Sequence, residues 1–141
     1  MAFSTETEIV VRYVETDRMG VVYHANYLVW MEVGRSDFLA GLGFPYSELE
    51  KNGILFPTSN ASFKIFRPSY YEDRLTVLTR IARLQSRKVV FSYDVRREEE
   101  MIVSGTTEHI CTDEGMKVKK MPQPLFEVLG RSMSDDGKDV S

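Results

Sequence analysis

A chain of 141 residues, 43% hydrophobic and 28% charged, has the length and balance of one globular domain with a real core. A net charge of −3 gives no overall pull toward nucleic acid or anionic lipid, leaving only a local basic patch as a route to a phosphate-rich ligand. A lone Cys111 excludes an internal disulfide, no apolar run approaches the ~20 residues that span a membrane, and the polar stretch from Met1 to Glu8 lacks the regions of a signal peptide, so a cytoplasmic protein is expected.

Alternation over Thr7 to Tyr13 predicts a first strand, and Val14 to Asn26 a loop hinged at Gly20. Tyr27 to Leu42 predicts the main helix. Its apolar residues (Tyr27, Leu28, Trp30, Met31, Val33, Phe38, Leu39, Leu42) cover most of the circumference, which predicts a buried helix. Gly34 inside it costs about 1 kcal/mol against alanine, so close packing against another backbone is expected there. Gly41 and Gly43 end the helix, and Pro45 opens a short one to Lys51, closed by Asn52-Gly53.

The period then changes to two. Ile54 to Phe66 reads as a strand interrupted near Pro57, with Ala61, Phe63 and Ile65 on one face. Asp73 to Leu84, Lys88 to Arg97 and Met101 to Thr112 read as three more, with a tight hairpin at Glu98-Glu99-Glu100. After a turn at Asp113-Glu114-Gly115 and a short basic stretch from Lys117 to Met121, Pro122 and Pro124 allow a last helix through Leu129. The domain is thus expected over 1–130, with a disordered polar tail over 131–141. One helix followed by long antiparallel strands predicts an α+β domain. Its long edge strands need covering, and a second copy is one cover.

Asp17 is the first chemical candidate. A lone loop aspartate is usually a turn or cap residue. Here Gly20 lets the backbone turn back, and His24 lies beside the start of a helix whose first N–H groups lack partners. A carboxylate there can attack a carbonyl or take a proton from water, while amides near residues 23 to 25 bind the developing oxyanion. His24 is a helix-entry residue or a catalytic one with equal weight. Asn26 is expected to cap the helix, Glu15 and Thr16 to be loop scaffold, and Glu32 to pair with Arg35 three residues on. The cations Arg80, Arg83, Arg87, Lys88, Arg96 and Arg97 read mostly as a solvated face, although a turn carrying Arg87 and Lys88 suits a phosphate group. His24, His109 and Cys111 do not have zinc-ligand spacing, so no metal is expected, and no nucleotide glycine pattern points to a cofactor.

The run Tyr13-x-Glu-Thr-Asp17-x-x-Gly20-Val-Val-Tyr23-His24-Ala-Asn-Tyr27 resembles the signature of hotdog-fold acyl-CoA thioesterases, of the 4-hydroxybenzoyl-CoA type that includes the YbgC-like enzymes. The likeness extends over roughly residues 5–130 by element order. It implies a curved antiparallel sheet wrapped around a long central helix. It implies an acyl-CoA substrate, with Asp17 as the catalytic carboxylate and the N–H near His24 as the group that polarises the thioester carbonyl. His24 then positions substrate or water, Gly20 belongs to the substrate-binding turn, and Tyr23 and Tyr27 stand at the acyl-pocket entrance. A homodimer or homotetramer is implied, with Phe63 supplied by the partner subunit and the coenzyme A nucleotide near Arg87 and Lys88. The acyl group stays open between aliphatic and aromatic, including 4-hydroxybenzoyl and 1,4-dihydroxy-2-naphthoyl. An acyl-carrier-protein substrate would predict a basic rim. A non-catalytic acyl-CoA-binding module on the same fold is the rival outside catalysis.

Overall fold

A computed structural model describes residues 2–133. Strand β1 (Thr5–Val10) leads through a single 3-10 turn at Tyr13–Glu15 to helix α1 (Ala25–Gly41) and the short α2 (Tyr46–Lys51). Strands β2 (Thr58–Ile65), β3 (Arg74–Gln85), β4 (Lys88–Arg97) and β5 (Glu100–Ile110) follow, then α3 (Gln123–Ser132). The strands form one five-stranded sheet in the order β1-β3-β4-β5-β2, with every pair antiparallel. Helix α1 packs on β1, β3 and β4. This is the expected α+β hotdog arrangement.

Period-two alternation builds the face that meets the helix. Leu75, Val77, Thr79 and Ile81 of β3 are buried beside Val89, Phe91, Tyr93 and Val95 of β4, with Val77 opposite Val95 and Thr79 opposite Tyr93. A bulge between Ile81 and Arg83 returns Leu84 to the core. Gly34 lets α1 lie tightly against this face. A Cβ there would stand 2.5 Å from Thr79 Oγ1 and 3.1 Å from Val77 Cγ1, so its close neighbours are β3 side chains rather than a backbone.

Two apolar surfaces are open, one of them on the helix expected to be buried. Tyr27, Trp30, Met31, Phe38 and Leu39 bury one side of α1, but Leu28, Val29 and Val33 on the other are exposed. A sheet on one side covers only half of a helix that is apolar all round. On β2, Phe63 is half-buried, while Ala61 and Ile65 are exposed because β2 is an edge strand.

Helix α3 continues three residues past Leu129. Ser132 O accepts the Phe3 N–H at 2.7 Å, and Ser132 and Met133 are buried. The expected tail over 131–141 therefore begins inside a packed helix, and residues 134–141 lie outside those described. Among the described residues, no helix is long and apolar enough to cross a membrane.

A buried polar chain runs through the core. The Phe56 carbonyl can only accept, so His109 Nδ1 donates to it at 3.3 Å and Nε2 accepts from Thr107 Oγ1 at 2.8 Å. With its proton committed to His109, the Thr107 hydroxyl accepts from Tyr93 OH at 2.6 Å. Burial first, then the charge of Arg35, pushes the His109 pKa down to about 4. The unfolded chain, with an ordinary histidine pKa of 6.5, therefore binds a proton that the folded chain refuses between these values. Stability falls as pH drops through that window, by about 2 kcal/mol at pH 5 on the scale of ~1.4 kcal/mol per pK unit. Urea denaturation of the parent and His109→Leu at about pH 7 and pH 5 checks this. The parent should lose that stability relative to the variant, and a constant difference would refute the assignment.

Candidate active site

The loop after β1 is a closed structure. Asp17 N donates to Val21 O at 2.9 Å, Gly20 N donates to Asp17 O at 3.0 Å, and Asp17 Oδ1 accepts the Met19 N–H at 2.9 Å. Thr16 and Val22 form an isolated bridge. Gly20 has φ +84°, the left-handed backbone that glycine adopts without strain, so the expected hinge is present. Asp17 is half-buried on this turn.

The loop delivers the chain to the start of α1. Val22 N donates to Ser69 O and Tyr23 N to Glu15 O, each at 2.9 Å. Asn26 N and Tyr27 N point back to Tyr23 O and His24 O, at 2.9 and 3.1 Å. The amides of His24 and Ala25 have no acceptor among the described residues. The expected set of free N–H groups near residues 23 to 25 thus narrows to these two, at the positive end of a 17-residue helix.

Asn26 does not cap the helix. His24 holds the cap position with helical angles and no side-chain bond, while Asn26 Nδ2 donates to Glu15 O at 2.9 Å. The His24 ring is exposed and stacks at a tilt on Tyr23, their centroids 4.6 Å apart. Tyr27, expected at a pocket entrance, is buried with its hydroxyl 2.6 Å from Ser69 Oγ. It forms the floor of a cleft of about 260 Å³ lined by Val21, Val22, Ile65, Phe66 and Pro68, with Arg67 at its edge. Phe63 lies 6.3 Å from the Tyr27 ring of its own chain.

Arg87 and Lys88 are not brought to this site within one chain. Val10, which leads into the Asp17 loop, pairs with Arg74 at the start of β3, whereas Gln85 at its far end pairs with Lys88. A strand of 12 residues separates them by roughly 35–40 Å. Lys88 there contacts Glu108 at 3.4 Å. Cations at the Asp17 end are mostly matched by carboxylates: Arg12 by Glu15, Arg67 by Glu100, Arg74 by Glu8 and Arg97 by Asp73. The expected Glu32–Arg35 pair does not form, because the Arg35 guanidinium turns to the hydroxyls of Tyr93 and Tyr46.

Glu15 is loop scaffold, as expected, and holds the loop through a buried charge. Its side chain is buried, the residue being 4% exposed. Oε1 accepts the Arg12 N–H at 2.8 Å, and Oε2 accepts from Arg12 Nη2 at 3.1 Å and from Trp30 Nε1 at 3.0 Å. Burial pushes its carboxyl up, but these donors outweigh burial and hold it below the usual range. No local pattern marks a contact to a tryptophan fifteen residues away.

The chain belongs to the thioesterase superfamily, whose family model matches residues 19–104, and by class it is a thioester hydrolase. The matched span is narrower than the likeness read from element order, and Asp17 lies two residues before it. YneP of Bacillus subtilis, provisionally named an acyl-CoA thioesterase, is 44% identical over 77% of this chain and 80% of its own. Among solved structures, protein TT1821 of Thermus thermophilus superposes with a TM-score of 0.85 at 38% identity, covering 88% of this chain and 95% of the other. The DHNA-CoA thioesterase of Staphylococcus aureus does so with a TM-score of 0.81 at 35% identity, over 84% and 80%.

Proposed function

We propose that this protein hydrolyses an acyl-CoA thioester to a free acid and coenzyme A, with Asp17 and the N–H groups of His24 and Ala25 as its working parts. The observation that carries this reading is the pair of free amides at the start of α1, reached by the same loop that holds the Asp17 carboxylate on a closed turn. The thioester oxygen lies on the two amides, which stabilise the negative charge that develops as the carbonyl carbon becomes tetrahedral. In one route an Asp17 oxygen attacks that carbon, the C–S bond breaks, and coenzyme A leaves as a thiolate that takes a proton. Water then cleaves the mixed anhydride. In the other, Asp17 takes a proton from a water whose oxygen attacks directly. Single turnover in ¹⁸O-water separates them, because only the first route puts label into the Asp17 carboxylate.

The apolar cleft floored by Tyr27 is the candidate acyl site. It has room for an aromatic or short acyl group, and the name DHNA-CoA thioesterase carried by the Staphylococcus relative supports an acyl-CoA substrate of that size. The acyl-CoA thioesterase name of the Bacillus subtilis relative favours coenzyme A as the carrier. A second copy of the chain suits the open β2 edge and the exposed Leu28, Val29 and Val33 of α1. Free-thiol release from a panel of aliphatic and aromatic acyl-CoAs tests the activity, with the highest kcat/KM expected for an aromatic or short acyl group. Tight binding without turnover would make the protein a binding module, and neither binding nor turnover would overturn the reading altogether.

A further inference from the structure

Resting on that reading, we infer that Glu15 is a positioning residue that sets the spacing between the Asp17 carboxylate and the oxyanion amides. Asp17 and the amides of His24 and Ala25 sit on opposite limbs of one loop, and a loop alone holds such limbs loosely. Glu15 fixes them from both of its ends. Its carbonyl takes the Tyr23 N–H and the Asn26 side-chain amide, one residue before and one residue after the free pair. Its carboxylate takes three donors, two from Arg12 on the incoming limb and one from Trp30 in the second turn of α1.

This arrangement also explains which amides are free. With the Tyr23 N–H spent on the Glu15 carbonyl, the first unpartnered donors are those of His24 and Ala25. Asn26 is drawn away from capping by the same carbonyl, so its side chain does not compete for them. The buried carboxylate touches neither the cleft nor the Asp17 turn, so its effect passes through the backbone it holds. A displacement of about 1 Å in reacting groups can cost on the order of 10²-fold in rate.

Glu15→Gln keeps the shape and turns one acceptor into a donor. Whichever way the amide is placed, it faces the Arg12 N–H on one side or the Trp30 and Arg12 Nη2 donors on the other. The expected result is a kcat lower by roughly 10–100-fold with KM within about threefold. In an Asp17→Asn background, measured in single turnover with enzyme in excess, the same change should cost little further, because the geometry that it disturbs no longer serves a carboxylate. An equal loss in both backgrounds would make Glu15 merely structural, and a parental kcat would remove it from the mechanism. If Glu15→Gln does not fold, Trp30→Phe deletes a single donor and should still lower kcat at unchanged KM; a parental kcat there overturns the inference. A parental rate in Asp17→Asn alone defeats the functional reading itself, and so is distinct from each of these results.

Discussion

Replacing Asp17 by asparagine is expected to lower kcat by ~10²–10⁴-fold if the carboxylate is a general base, and by more if it is the nucleophile. The amide keeps the size of the side chain and one carbonyl oxygen. That oxygen can still accept the Met19 N–H, so the turn over residues 17–20 has no reason to open. What is lost is the charged oxygen that attacks or takes a proton. Substrate binding uses the cleft and the amides, so KM should stay within a few-fold, and kcat/KM should fall with kcat. Steady-state thiol release for both proteins, with equal melting temperatures as a control, gives the measurement. Hydrolysis at the parent rate would remove Asp17 from the mechanism.

The second large effect is on stability. Gly105 on β5 faces Phe63 across the β2 pairing. A Cβ at residue 105 would lie 2.6 Å from Phe63 Cβ, 2.7 Å from Ser62 O and 2.9 Å from Met31 Cε. The methionine can swing aside, but the Ser62 carbonyl is backbone and cannot yield without moving the strand. Gly105→Ala should therefore push β2 away from β5, at the upper end of the ~1–3 kcal/mol typical of overpacking, or beyond it. For a domain of this size that is a fall in melting temperature of roughly 5–12 °C. A melting temperature within a degree of the parent would show that β2 is already loose. Phe63 also packs on Tyr27, so the same substitution should disturb the cleft floor.

Much of this was legible in the chain because local signals and tertiary demands agreed. Lys88 to Arg97 alternates without interruption, and β4 has those bounds. The apolar run after Asn26 gave α1, and Gly20 marked the one turn in the loop that needs a left-handed residue. What local reading leaves out comes from topology. Arg87 and Lys88 make a basic turn, and within one chain antiparallel strands put this turn at the end opposite the Asp17 loop. Spacing suggested that Glu32 would hold Arg35, yet Tyr46 and Tyr93, remote in sequence, were better placed. Asn26 has the chemistry of a cap, but the Glu15 carbonyl eleven residues earlier claims its amide. In each case the deciding neighbour is distant along the chain, where periodicity carries no information.

The one-way chain from Tyr93 through Thr107 and His109 to the Phe56 carbonyl also bears on how the sheet assembles. Valines and isoleucines on β4 and β5 would tolerate a sliding error, since apolar contact has no direction. A slip of one residue in β5 would turn Thr107 and His109 to the outer face and take Thr107 from the buried Tyr93 hydroxyl, leaving it Arg35 alone. A buried polar group that loses a partner costs about 1–3 kcal/mol, a large share of a domain's net stability. These side chains thus act as an alignment mark for β5, completed only when the segment leading into β2 brings the Phe56 carbonyl to His109.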